Sequence, residues 1–78
     1  MERALELAIE AAAFTLEMPA DAFSATTHLE TVGADSIAIV VIADRIEILD
    51  PNAHVDNDAL LSVVTLGDIA GTISWKAS

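Results

Sequence analysis

The chain contains no cysteine, which excludes a disulfide framework, a thiolate zinc site and a thiol nucleophile. Basic residues are nearly as scarce: Arg3, Arg45 and Lys76 face thirteen acids, for a formal net charge of −10. A field of that sign repels phosphate backbones and anionic lipid surfaces. Nucleic acid and membrane are therefore not expected partners, whereas proteins with basic patches gain faster encounters at low salt. Long apolar runs are also missing, since the longest, Ile37 to Ala43, falls far short of the ~20 residues that span a bilayer. Met1-Glu2-Arg3-Ala4 lacks the basic region and cleavage site of a signal peptide, so a cytoplasmic location is the expectation. Histidines are limited to His28 and His54. A Ser/His/Asp hydrolase would need a larger scaffold, and Asp56 and Asp58 lack EF-hand spacing and its loop glycine. The chain is expected to be neither an enzyme nor a metal binder.

What is present suits one small domain over residues 1–78. Hydrophobic residues make up 54% of the 78, enough for a core despite the charge, so the composition is not that of a disordered chain. A domain of this size buries only about 60% of its unfolded surface.

Leu5, Ala8, Ile9, Ala12, Ala13 and Leu16 recur at helical spacing, with Glu2, Glu6, Glu10 and Glu17 mostly off that stripe. This predicts an amphipathic helix of about four turns, closed at Met18 because Pro19 follows it. From Pro19 to Asp35 no period is sustained, which predicts a long loop anchored by Phe23 and Leu29. Ser36 to Asp50 is rich in β-branched residues, and its first half alone resembles a buried strand. Ile39, Ile42, Ala43, Ile46 and Leu49 nevertheless continue at helical spacing between an Asp35 cap and the stop at Pro51, so a helix is expected. Asn52, Asp56, Asn57 and Asp58, capping and turn residues, precede a further short helix at Ala59 to Leu61. Thr65 three residues before Asp68 forms a capping-box start for a last helix ending near Trp75. No hairpin is signalled. The expected fold class is all-α: a four-helix bundle with a long loop between helices 1 and 2.

One short stretch suggests more than packing: Gly33-Ala34-Asp35-Ser36-Ile37, where the long loop meets the second helix. It resembles the attachment motif of acyl carrier proteins. In that family, an Asp-Ser-Leu or Asp-Ser-Ile step after a glycine marks the serine that accepts 4′-phosphopantetheine from coenzyme A. Leu29-Glu30-Thr31-Val32, Ile46 to Pro51 and Thr65-Leu66-Gly67-Asp68-Ile69 extend the resemblance over nearly the whole chain. It implies a covalent phosphopantetheine on Ser36, with Asp35 and Gly33 supporting the motif. The place suits that chemistry: a phosphodiester at a helix start lies near unpaired N–H groups and the positive end of the helix dipole. Gly33 permits a left-handed turn, and Asp35 as cap fixes where Ser36 points. Without that surrounding pattern, the same residues read as an ordinary Asp cap followed by a first-turn serine.

Carriers of fatty acid synthesis usually show a strongly acidic second helix. Here Ile37, Ala38, Ile39, Val40 and Val41 follow the serine, and acids return only at Asp44, Glu47 and Asp50. On a helical wheel Ile37, Val40, Val41 and Ile48 fall partly outside the core, or else lie under the loop. An apolar patch rimmed by charge suits protein docking, so Ile37, Val40, Val41, Asp44, Glu47 and Ile48 are the expected partner-binding residues. The resemblance then implies a freestanding, monomeric carrier of polyketide or hybrid polyketide/nonribosomal peptide biosynthesis. Its partners would be a phosphopantetheinyl transferase and acyltransferase, ketosynthase or adenylating/ligase enzymes. An aminoacyl or peptidyl carrier and a fatty acid carrier remain alternatives. Val40, Leu60, Leu61 and Ile69 are candidates for a cargo cleft or for plain core. From a different class, an unmodified acidic helical adaptor would use the same second-helix face without Ser36.

Overall fold

In the computed structural model, which describes residues 3–76, helix α1 runs over Arg3–Leu16 and helix α2 over Ser36–Leu49. Glu2, counted on the polar side of the first helix, lies outside the described residues. Glu17 ends α1 in the left-handed region at φ 55, and the Met18 N–H reaches back to the Ala13 carbonyl at 3.1 Å, closing the helix as left-handed caps do. The stripe of α1 is wider than the spacing suggests and rotated toward Leu7 and Ala11, which are fully buried beside Ala8 and Ala12. Leu5, Ala13 and Leu16 sit at its margin, partly buried. Ile42, Ala43 and Ile46 of α2 complete this interface, and the alanines on α1 leave room for them.

The all-α four-helix bundle expected from the sequence does not form. The chain is a small mixed α/β fold. Strand β1, Ala53–Val55, pairs antiparallel with strand β2, Ile73–Trp75, in the register Ala53↔Trp75, His54↔Ser74, Val55↔Ile73. Between them, the expected third helix is only a 3-10 turn over Ala59–Ser62, and helix α3 covers just Leu66–Gly71. The reason α3 stops is local. Gly71 propagates a helix poorly, and the Thr72 hydroxyl donates to the Ile69 carbonyl at 2.6 Å while its N–H bonds the same oxygen at 3.0 Å. Ile73, Ser74 and Trp75 then extend, as β-branched and aromatic residues favour, and Ile73 still packs against the core. Val55 and Ala53 are buried either side of exposed His54, the alternation of a half-buried strand.

The long connection from α1 to α2 includes a 3-10 turn over Ala20–Ala22 and is held by its two expected anchors, Phe23 and Leu29, both buried. The last third of the chain pins it as well. Leu29 N–H donates to Val64 O at 3.0 Å, Leu66 N–H to Thr27 O at 2.9 Å and Gly67 N–H to Ala25 O at 2.9 Å. Approach at the last of these is close enough to require glycine, because a Cβ on Gly67 would sit 2.8 Å from the Ala25 oxygen. The capping box of α3 forms as the sequence indicates: the Thr65 hydroxyl accepts from Asp68 N–H, and the Asp68 carboxylate accepts from Thr65 N–H. Among the described residues no helix is long and apolar enough to cross a membrane.

Candidate functional site

The site is assembled by the turn that delivers the chain into α2. Gly33 takes φ +79, the left-handed conformation that glycine adopts without steric cost, and its N–H bonds the Glu30 carbonyl at 3.1 Å. Ala34 is buried and anchors the turn through its N–H to Leu29 O at 2.9 Å. Asp35 is extended at φ −80, ψ −177, and its Oδ1 accepts from Ala38 N–H at 2.8 Å while its carbonyl accepts from Ile39 N–H at 2.9 Å. That is the N-cap geometry that holds a helix start in place.

Ser36 follows as the first residue of α2, exposed. Its hydroxyl has no hydrogen-bond partner among the described residues. Since Asp35 captures the amides of Ala38 and Ile39, those of Ser36 and Ile37 are the unused donors of the first turn. An exposed hydroxyl, two free amides and the positive end of a 14-residue helix together suit a serine-linked phosphate. Neither histidine lines the cleft at Ser36. The His28 backbone bridges the loop to Thr65 at the start of α3, and the His54 side chain pairs with Glu47 at 3.3 Å.

A cleft of about 420 Å³ opens beside this serine. Ser36, Ile39, Val40 and Asp44 line it from α2, and Asn57, Leu60, Leu61 and Val63 from the segment after β1. Of the four residues suggested for a cleft, Val40, Leu60 and Leu61 line it; Ile69 is fully buried core. The loss of the third helix to a 3-10 turn shapes this wall: Leu60 is buried while its neighbour Leu61 is 92% exposed.

The outer face of α2 is open, not covered by the loop. Ile37 is 74% exposed and Ile48 66%, with Val40 and Val41 about half exposed and Asp44 exposed among them. Glu47 belongs elsewhere. Its carboxylate accepts from Val55 N–H at 2.9 Å and faces His54 Nδ1, so it ties α2 to β1. Sequence reasoning missed Phe14, which stands 65% exposed on α1 with the Arg45 guanidinium stacked 4.0 Å from its ring centroid, a cation–π contact that links α1 to α2. Its displacement from the stripe of α1 was the available clue.

No protein-family model, no curated protein and no solved structure matches this chain. The functional reading rests on its residues and their geometry.

Proposed function

We propose that this chain is a carrier protein whose Ser36 is the attachment point of a 4′-phosphopantetheine arm. The observation that carries the reading is the exposed, uncommitted Ser36 hydroxyl at the capped start of α2, with an apolar cleft beside it. When bound, the arm supplies a thiol that holds an acyl group as a thioester. The protein's own residues do the rest. Gly33 and Asp35 set where Ser36 enters the helix, and the Ser36 and Ile37 amides would be the donors available to a phosphodiester there. Ile39, Val40, Leu60, Leu61 and Val63 give apolar cargo a surface out of water. In the loading reaction the Ser36 Oγ attacks the pyrophosphate phosphorus that bears the pantetheine. A new P–O bond forms, adenosine 3′,5′-bisphosphate leaves, and the hydroxyl proton passes to a base on the transferase.

The partners on this reading are a phosphopantetheinyl transferase and the acyltransferase, ketosynthase or adenylating/ligase enzymes of a specialised polyketide or hybrid pathway, in the cytoplasm. The apolar outer face, Ile37, Val41 and Ile48 with Phe14 beside Arg45, would be their docking surface, and the charge of −10 favours a basic rim on them. The reading stands on the loop, α2 and the cleft wall from Asn57 to Val63. The helical bundle implied by the resemblance lends it no support, because the C-terminal third carries a two-stranded sheet instead.

Intact-protein mass spectrometry after incubation with coenzyme A and a broad-specificity transferase tests this directly. Addition of one phosphopantetheinyl group to the native chain, and none to Ser36→Ala, is expected. A folded native chain that gains no mass defeats the carrier reading. The same open α2 face favours a second reading, an unmodified acidic adaptor, whose partner binding would survive Ser36→Ala.

A further inference from the structure

The cleft beside Ser36 is not uniformly apolar. Five of its side chains are hydrocarbon, but Asp44 and Asn57 place a carboxylate and a carboxamide in the same lining. Asp44 lies eight residues along α2 from Ser36, about 12 Å at the helical rise of ~1.5 Å per residue, so the polar end lies away from the attachment point. None of the ion pairs among the described residues involves Asp44: Arg3 faces Glu6 and Asp50, and His54 faces Glu47. Arg45, its neighbour, is stacked on Phe14. The Asp44 carboxylate also makes no hydrogen bond to the described residues. Asp44 and Asn57 are both exposed, and a purely aliphatic chain laid in the cleft would make no polar contact with either. An anionic chain end would meet Asp44 and the net charge of −10. A chain ending in an ammonium group satisfies both, since it has three N–H donors for the Asp44 carboxylate and the Asn57 amide oxygen and a positive charge for the field.

We infer that the cleft is built for an amino-bearing acyl group: an aliphatic chain laid along Ile39, Val40, Leu60, Leu61 and Val63 with an ammonium at the Asp44–Asn57 end. This rests on the carrier reading of Ser36 and adds the class of cargo to it.

The test uses coenzyme A analogues in which the thioester is replaced by an amide bearing octanoyl, 8-aminooctanoyl or 7-carboxyheptanoyl, so that neither hydrolysis nor lactam formation intervenes. Each is loaded onto the native chain and onto Asp44→Asn, and loading is verified by mass. Methyl resonances of Val40, Leu60, Leu61 and Val63 and the side-chain amide of Asn57 report occupancy of the cleft. The 8-aminooctanoyl chain is expected to move them most and the carboxylate-ended chain least. Asp44→Asn should reduce the seating of the amino-ended chain by up to about five-fold, the range of a solvent-exposed ion pair, and leave octanoyl unchanged. Equal shifts from the amino- and carboxylate-ended chains, or an Asp44→Asn variant that seats the amino-ended chain as well as the native protein, would overturn the inference while leaving the carrier reading intact. Absence of any mass gain on folded native protein would defeat the carrier reading itself, and the inference with it.

Discussion

Replacing Gly67 with alanine places two opposing effects on one methyl group. In the middle of a helix the change would gain about 1 kcal/mol of propensity, and less at this position in the first turn. Against it, the new Cβ would lie 2.8 Å from the Ala25 carbonyl oxygen and 3.3 Å from the Ala25 Cβ. The obstacle is backbone, so it cannot swing aside as a side-chain tip would. Forcing extra volume into a packed contact costs about 1–3 kcal/mol. The oxygen that must retreat is also the one accepting the Gly67 N–H at 2.9 Å, a bond worth about 1 kcal/mol. The expected balance is a net loss of about 1–2 kcal/mol, or a fall in Tm of about 5–15 °C for a domain of this size. Gly71→Ala is the control, because a Cβ there meets nothing within 4 Å, and its stability should match native or exceed it by up to about 1 kcal/mol. Thermal melts followed by far-UV circular dichroism compare the three proteins. If Gly67→Ala melts with Gly71→Ala, or above the native chain, the close approach of the loop to α3 is not the constraint on this glycine.

Asp35→Ala removes the acceptor for Ala38 N–H and should cost about 1 kcal/mol in a denaturant titration; Asp35→Asn should recover most of it, and equal losses from both would point away from capping. Backbone N–H donors of Thr65, then Val64, hold the Asp68 carboxyl below the usual carboxylate range. Because the folded value is the lower one, this contribution is fully present above the ordinary range and is lost as pH falls through the lowered value. The gap in Tm between native and Asp68→Asn protein should therefore narrow in strong acid, and a constant gap would contradict the assignment. Self-repulsion from the charge of −10 should make Tm rise with added salt; a melting temperature that falls on the same additions would show that repulsion does not limit stability. Carboxylates grafted at Ala38 and Val41 should improve service to fatty acid enzymes if the apolar α2 face sets pathway choice, whereas a native chain that already serves them equally would refute that role.

The features legible in the sequence are those decided by a few neighbouring residues. Asp35 caps α2 and Thr65 with Asp68 caps α3 through bonds three residues long, so local spacing suffices to place them. Phe23 and Leu29 stand out as anchors because, with Val32, they are the large apolar side chains of a segment that is otherwise small or polar. The sheet was not legible for the opposite reason. His54 pairs with Ser74 across twenty positions, and a strand of three residues is too short for alternation to be distinguished from chance. Leu66, Ile69, Ala70 and Ile73 share a helical face on paper, yet Ile73 reaches the core from a strand. Burial alone therefore does not reveal the backbone that achieves it. Glu47 illustrates a further limit. The sequence groups it with Asp44 as a partner-binding residue, but its carboxylate is engaged by the amide of Val55, supplied by a strand the sequence did not announce.

The cross-links between Ala25, Thr27, Leu29 and the stretch from Val64 to Gly67 bear on how the protein forms during synthesis. The helices that flank the serine are both encoded in the first 49 residues, but the acceptors and donors that fasten their connecting segment belong to residues translated about forty positions after it. A nascent chain that has exposed Ser36 but not residues 64–67 lacks these bonds, so the loop ahead of the local Gly33–Asp35 turn is fastened only once those residues have emerged as well.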